Sequence, residues 1–249
     1  MKRFFLIFIT ASLFTACKKE TSSDNLNSSG TKSDTSNIIN QPLSGYGPNI
    51  TDIDGNSYKT VYIGKQHWMA ENLKVSKYND GTLIPNVIDK TQWSELTTGA
   101  WSYYNNDKAN NIKYGKLYNW YAVSNTTNGN KNVCPTGWHL PTYTEWKVLT
   151  EYLGGLDVAG GKMKEIGLAN WRNPNTDANN VSLFTGLPGG ARTESGNYDD
   201  FNDNGHWWSL SIDPEFNQPI LIALNYFNSK TGYGYSSKNC GFSVRCISD

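Results

Sequence analysis

A change of composition near residue 48 divides this chain into a stretch that cannot build a core and a stretch that must. From Lys18 to Pro48 the residues are mostly Ser, Thr, Asn, Asp and Gly, with no aromatic before Tyr46. Such a segment buries too little apolar surface to offset the entropy of ordering it. As a flexible coil of about 30 residues it reaches roughly 30 Å on average. From about Asn49 to Asp249 the chain has the length of a single domain with one good core, and no repeat at solenoid or propeller periods. Aromatics make up 13% of the whole, with nine Trp and fifteen Tyr, against 18% charged residues. Richness in Trp, Tyr, Asn and Gly points to an extracellular β-rich domain with long ordered loops.

The N-terminus explains the tether. Met1-Lys2-Arg3 is positive, and Phe4 to Phe14 is an apolar run of eleven residues. A bilayer-spanning helix needs about 20. Small Thr15 and Ala16 lead into Cys17, and Lys18, Lys19 and Glu20 follow. This segment resembles a bacterial lipobox, with Phe14 where Leu is usual. It predicts a signal peptide over 1–16, a lipid on Cys17, a flexible linker over 17–48 and a folded domain over 49–249. The bland alternative is an ordinary secretory signal with an incidental cysteine. Two or three acyl chains anchor stably where one does not, so the membrane is an expected partner. Lys18 does not resemble an inner-membrane retention Asp, which favours the outer membrane and exposure at the cell surface.

No second apolar run approaches membrane length. Lys+Arg and Asp+Glu both number 22. That balance argues against a nucleic-acid partner, which selects a basic excess. Four cysteines become three once Cys17 is acylated, leaving one disulfide and one thiol.

Local patterns predict the elements. Asp54-Gly55 and Gly64-Lys65 read as turns joining strands Tyr58 to Ile63 and Gln66 to Met69. Tyr114, Leu117, Tyr118, Tyr121 and Ala122 form an apolar stripe that predicts a short helix. Thr142-x-x-Glu145 after Pro141 is a capping box, opening a helix that buries Trp146, Leu149 and Leu153 and stops at Gly154-Gly155. A further helix is expected over Ala159 to Ile166, and strands over Ile220 to Phe227 and Phe242 to Ile247.

Several strings then occur in order: TDIDGNSYKTVYIGKQHWMAENL (51–73), YGKLYNWYAV (114–123), CPTGWHLPTYTEW (134–146), GGKMKE (160–165), LPGGAR (187–192), HWWS (206–209) and GFSVRC (241–246). Together they resemble the Fibrobacter succinogenes major paralogous domain, a family of exported Bacteroidetes and Fibrobacteres proteins. Leu140 to Trp146 and Gly241-Phe242 with Arg245-Cys246 are also similar to sulfatase-modifying-factor domains, which have a C-type-lectin-like fold. The resemblance implies a single α+β, C-type-lectin-like domain with two main helices beside irregular antiparallel β-sheets and long loops. It implies more about fold than about activity. Formylglycine-generating enzymes of the wider group use cysteines four residues apart, whereas five residues separate Cys240 from Cys246 here, which argues against that oxidase activity.

The residues themselves show no GxSxG, Walker loop or strand-linked GxGxxG. His67, His139 and His206 each stand beside Trp, where packing is the commoner role. A glycosidase pair of carboxylates has no sequence signature. The segment Asn197 to Ser209 is the most unusual: Asp199, Asp200, Asn202, Asp203 and Asn204 beside Tyr198, Trp207 and Trp208. Asp200, Asn202 and Asn204 match the first half of a Ca²⁺ loop, although Ser211 replaces the closing Glu. The same residues favour a simple turn, which is the stronger reading, so no cofactor is expected beyond this one candidate for Ca²⁺. Trp207 and Trp208 face opposite ways if they lie in a strand. One ring can then fill the core while the other, with Tyr198, Asp200, Asn202 and Asn204, offers a sugar a flat face and polar neighbours. Burial of both rings is the competing reading.

A non-catalytic binding module for a glycan or protein partner is therefore the favoured function. An exported hydrolase or modifying enzyme with dispersed catalytic residues is the alternative.

The disulfide is a matter of reach. Phe242-x-Val244-x-Cys246 alternates like a strand, and an extended chain sets Cys240 and Cys246 about 20 Å apart, too far to bridge. Cys134 must then take one of them. Cys246 shares an inward face with Phe242 and Val244, so Cys134–Cys246 is expected, with Cys240 left over. Related lectin-like folds also tie a final-strand cysteine back to the helical part. Such a bridge stabilises by roughly 4–5 kcal/mol at most in the chain-entropy model.

The anchor has a direct test. Cys17→Ser is expected to release the protein from membranes and to abolish metabolic acyl labelling. Labelling that persists in this variant would refute the assignment.

Overall fold

The computed structural model describes residues 44–249. The two turns read from sequence join β1 (Ser44–Thr51), β2 (Ser57–Ile63) and β3 (Gln66–Met69) into a meander. Strand β1 begins before the expected domain start at Asn49, because its backbone pairs with β2 from Ser44 onward. Cys17 and the signal segment lie outside the described residues.

A loop-rich stretch follows. It holds α1 (Lys90–Ser94), β4 (Trp101–Ser102) and α2 (Asn110–Tyr114), then β5 (Leu117–Asn119) and α3 (Trp120–Val123). The helix expected across Tyr114 to Ala122 is absent. Gly115, at φ 73°, ends α2, and a Cβ there would collide with the Leu73 carbonyl. Leu117, Tyr118, Asn119 and Trp120 are buried in succession, which a helix with one apolar stripe does not allow. Asn119 then caps α3 by accepting from the Ala122 amide.

The second expected helix is present. After β6 (Trp138–His139), helix α4 (Tyr143–Tyr152) opens with Thr142 accepting from the Glu145 amide while Glu145 accepts from that of Thr142. Trp146, Leu149 and Leu153 are buried as its spacing implies. Helix α5 (Leu156–Met163) starts and ends three residues earlier than expected. At Gly160 a Cβ would strike the Lys230 carbonyl, so glycine there lets a distant loop close on the helix.

The rest is strand and loop: β7 (Gly189–Arg192), β8 (Tyr198–Phe201), β9 (Asn204–Ile212) and β10 (Pro219–Asn225). Strands β11 (Thr231–Tyr235), β12 (Gly241–Phe242) and β13 (Ile247–Ser248) end the chain. One sheet runs β1-β2-β3-β13-β6. The other runs β11-β10-β9-β7-β12-β5-β4, with β8 on β7 and with β7 parallel to β9. The architecture is α+β, and α4 and α5 are its two longest helices. Among the described residues no helix is long and apolar enough to cross a membrane.

Phe242 to Ile247 is not one strand, because the chain changes sheets there. Strand β12 lies between β7 and β5, whereas β13 lies between β3 and β6. Between them, the Val244 and Cys246 carbonyls accept from the Leu73 and Met69 amides. Cys246 still points inward and bridges Cys134, with Cα atoms 5.9 Å apart. Cys240 is free, and burial pushes its thiol pKa up.

Three buried cations hold the loops. Arg245 donates to Asn72 Oδ1 and to the carbonyls of Met69, Phe184 and Thr185, and its guanidinium lies 4.1 Å from the Phe184 ring centroid. Arg192 donates to the Gly196, Val87, Ile88 and Asp89 carbonyls between the rings of Trp93 and Tyr198. Lys164 donates to the carbonyls of Thr176, Asn225 and Asn228. Burial draws Arg245 down to about 9 and Lys164 to about 8. Arg245→Met is expected to destabilise the protein by about 3–5 kcal/mol, since its acceptors stay buried without a donor. The urea midpoint measures this; an unchanged midpoint would show that the clamp is dispensable.

Candidate functional site

The segment singled out by its Asn and Asp content is β8, the turn after it and the start of β9, and both strands pair with β7 rather than with each other. Asp200 and Asn202 adopt left-handed backbone at φ 63° and 65°, a conformation these side chains tolerate. Asp200 Oδ2 accepts from His206 Nε2 at 2.9 Å. This bond, with a further contribution from Asn204, holds the Asp200 carboxyl below its usual range. Nδ1 of His206 is buried without a hydrogen-bond partner. The Asn202 carbonyl accepts from the Arg172 amide, and Arg172 pairs with Asp203 at 2.7 Å. Asn204 lies in the ladder opposite Asn225. Tyr198 donates to Asn106 and covers Arg192. Among the described residues no three His, Cys, Asp or Glu side chains converge as a metal cluster.

The tryptophan pair corrects an expectation. Trp207 and Trp208 do face opposite ways, yet neither reaches a loop surface: both are fully buried. Strand β9 is central in its sheet, and each of its faces carries a core. Trp207 packs with Trp68, Trp146 and Phe184, and Trp208 with Tyr118, Trp120 and Phe242. Each indole N–H donates to a buried acceptor, Asn72 Oδ1 or the Tyr118 carbonyl. Neither ring is available to a sugar.

The histidines serve the fold. His67 contacts Thr60 Oγ1 at 2.7 Å and stacks on Tyr62. His139 links Glu145 of the capping box to Asp249. A cleft of about 280 Å³ beside the disulfide is lined by Asp52, Lys77, Asn79 and Thr136 among others. Its Asp52 carboxylate is already taken by the amides of Asp54 and Asn56, the Asn56 side chain and Tyr58.

Exposed aromatic surface lies instead on β11, an edge of the larger sheet. Its sequence, TGYGY, puts Thr231, Tyr233 and Tyr235 on one face and only glycines on the other. Thr231 is buried, while Tyr233 and Tyr235 are 55% and 40% exposed. Phe216, 43% exposed, stacks on Tyr235 with centroids 4.2 Å apart and planes 17° apart. Its loop is fixed by the Asp213 carboxylate, which accepts from the amides of Glu215 and Phe216. Asn217 and Gln218 close the turn through main-chain bonds with Asp213. Tyr143, at the start of α4, meets Tyr233 at 5.1 Å. Burial, then Tyr233, pushes the Tyr143 phenol to about 12, so it remains a neutral hydroxyl. The sequence signal was present in the Tyr-Gly-Tyr alternation, because a strand face made of glycine has nothing to pack.

An α+β domain with its interior filled by indoles and clamped cations, and with an exposed aromatic cluster at one sheet edge, is thus the class of protein defined here. The chain belongs to the Fibrobacter succinogenes major domain family, whose family model matches residues 61–248. That stretch contains Lys164, Arg192 and Arg245. No curated protein matches the chain, and no solved structure does.

With one Asp200 oxygen engaged by His206, millimolar Ca²⁺ is expected to leave the melting temperature unchanged. A rise abolished by Asp200→Ala with Asn202→Ala would instead establish a cation site. Asp200→Asn is expected to cost less than about 1 kcal/mol, since the pair is partly exposed and solvent-screened. Its lowered pKa makes that contribution complete above the ordinary aspartate range and lost as pH falls through the folded-state value. Acid titration of wild type against Asp200→Asn measures the difference.

Proposed function

We propose that this protein is a lipid-anchored, non-catalytic binding module, displayed at the outer-membrane surface, that holds glycans on the aromatic edge of its larger sheet. The signal segment, Cys17 and the polar stretch that follows support the anchor and tether. The scaffold is proposed to be C-type-lectin-like, on the strength of the sequence strings shared with that group. One observation carries the binding reading: the Phe216–Tyr235 stack, exposed beside Tyr233 and flanked by Asp213, Asn217 and Gln218. Sugars present flat C–H faces ringed by hydroxyls, and this surface pairs flat apolar rings with carboxylate and amide groups.

Aromatics without a packing role cost solubility, and a patch of them on a soluble surface commonly marks an interaction site. Their rigidity also limits the entropy lost when a ligand docks. The turn at Asp213 presets Phe216, so a glycan meets a platform already formed.

A glycan array probed with soluble protein starting at Lys18 tests the proposal. Phe216→Ala and Tyr235→Ala are each expected to weaken the retained glycan by about 1–2 kcal/mol, on the order of tenfold in Kd, with little change in melting temperature. Retention that survives both substitutions would move the site elsewhere, and an array without retained glycans would overturn the glycan reading.

A further inference from the structure

A lysine, an asparagine and a glutamate meet at the junction of α2 with the loop after α5. Asn170 is nine-tenths buried, and all three of its partners are side chains. Lys113 Nζ donates to Asn170 Oδ1 at 3.0 Å, and the Tyr114 hydroxyl donates to the same oxygen at 3.1 Å. On the other side, Asn170 Nδ2 donates to Glu165 Oε2 at 2.6 Å. A buried asparagine needs partners, but a carbonyl bound by an amine and a phenol, with a carboxylate on its nitrogen, is also poised for acyl transfer.

We propose that Lys113 and Asn170 join in an intramolecular isopeptide bond. Lys113 Nζ, after losing one proton to solvent, attacks Asn170 Cγ and forms the new C–N bond. The carbonyl electron pair moves onto Oδ1, where the Tyr114 hydroxyl stabilises it as an oxyanion-hole donor does. In that tetrahedral adduct both nitrogens sit on one carbon, so a carboxylate beside Nδ2 is also within reach of Nζ. Glu165 accepts the second Nζ proton and delivers it to Nδ2. The carbonyl re-forms, the Cγ–Nδ2 bond breaks and ammonia leaves. No oxidant or cofactor is required.

The surroundings hold these groups in register. The Tyr114 carbonyl accepts from Asn72, and its ring packs edge-on against Phe201. Burial first, and the Glu165 charge second, push the Tyr114 phenol up, keeping it a donor. The Glu165 amide donates to the Gly186 carbonyl, and Asn175 ties the Glu165 and Gly167 carbonyls together. Next in sequence, Trp171 donates to the Gly186 carbonyl from a fully buried ring. Lys113 is exposed on its helix, so water reaches its amine. Reaction needs the nitrogen at about 3–3.5 Å from Cγ, which a side-chain rotation from the present contact supplies. Burial of the Asn170 amide keeps water from competing as the nucleophile.

The full chain, purified from its membrane and digested after denaturation, decides the matter by peptide mass. The expected product is a branched peptide joining the Lys113 segment to the Asn170 segment, one ammonia lighter than the two together, with no tryptic cleavage after Lys113. Lys113→Arg should abolish it, and Glu165→Gln should slow its appearance after refolding by about a hundredfold or more. The Cys134–Cys246 peptide in the same digest reports whether each variant folded. Linear peptides with Lys113 cleaved and Asn170 intact, or Asn170 converted to Asp beside a free Lys113, would overturn the bond. Wild-type rates in folded Glu165→Gln would overturn the assisted mechanism.

Discussion

The fold depends on charge buried without countercharge. Long loops bring many main-chain carbonyls inside, away from both water and a β-ladder, and each needs a donor. Arg245, Arg192 and Lys164 supply several donors apiece from a single side chain and so tie together segments far apart in sequence. None of the three has a salt-bridge partner among the described residues. Carbonyl dipoles and the faces of Phe184, Trp93, Tyr198 and Trp171 take that role. Burial still draws these cations towards neutrality. The same arrangement gives the aromatic residues a purpose beyond apolar volume, because a ring can cover a cation that an aliphatic chain would strand.

Strand β9 and the C-terminal segment then organise what the cations hold. A strand packed on both faces separates two cores and places one of its own two indoles in each. The final residues cross from one sheet to the other, and the disulfide pins the crossing at Cys246. Several polar side chains around that interior serve structure: His139 binds the capping box, Asp52 a turn and Asp200 His206. Surface chemistry is left to the periphery, where β11 has a strand neighbour on one side only and its tyrosine rings stay partly exposed.

Function and scaffold meet in that division of labour. A rigid body lets a short loop such as Asp213 to Gln218 present Phe216 at a fixed angle to Tyr235. A covalent tie between α2 and the Asn170 loop would add to the disulfide a second long-range constraint on the chain.

The sequence by itself determined the elements whose cause is local, and the choice of disulfide. The Thr142–Glu145 box, the two meander turns and the Asn/Asp turn at 200–203 need only neighbours a few residues away, and all are present. The Cys134–Cys246 pairing followed from the reach of an extended segment, although that segment proved to be two strands. What periodicity could not show was which apolar residues had two buried sides. Tyr114 to Ala122 has helical spacing, but Phe242 and Trp101 pair with Tyr118 and hold it as strand. The ring faces of Trp207 and Trp208 depended on both surfaces of β9 being covered, a property of the assembled sheets. The partners of Arg192, Arg245 and Asn170, and the meeting of Phe216 with Tyr235, likewise join distant parts of the chain. Only the tertiary structure decided those, because burial and long-range hydrogen bonding are set by what packs from elsewhere, and a one-dimensional pattern carries no record of it.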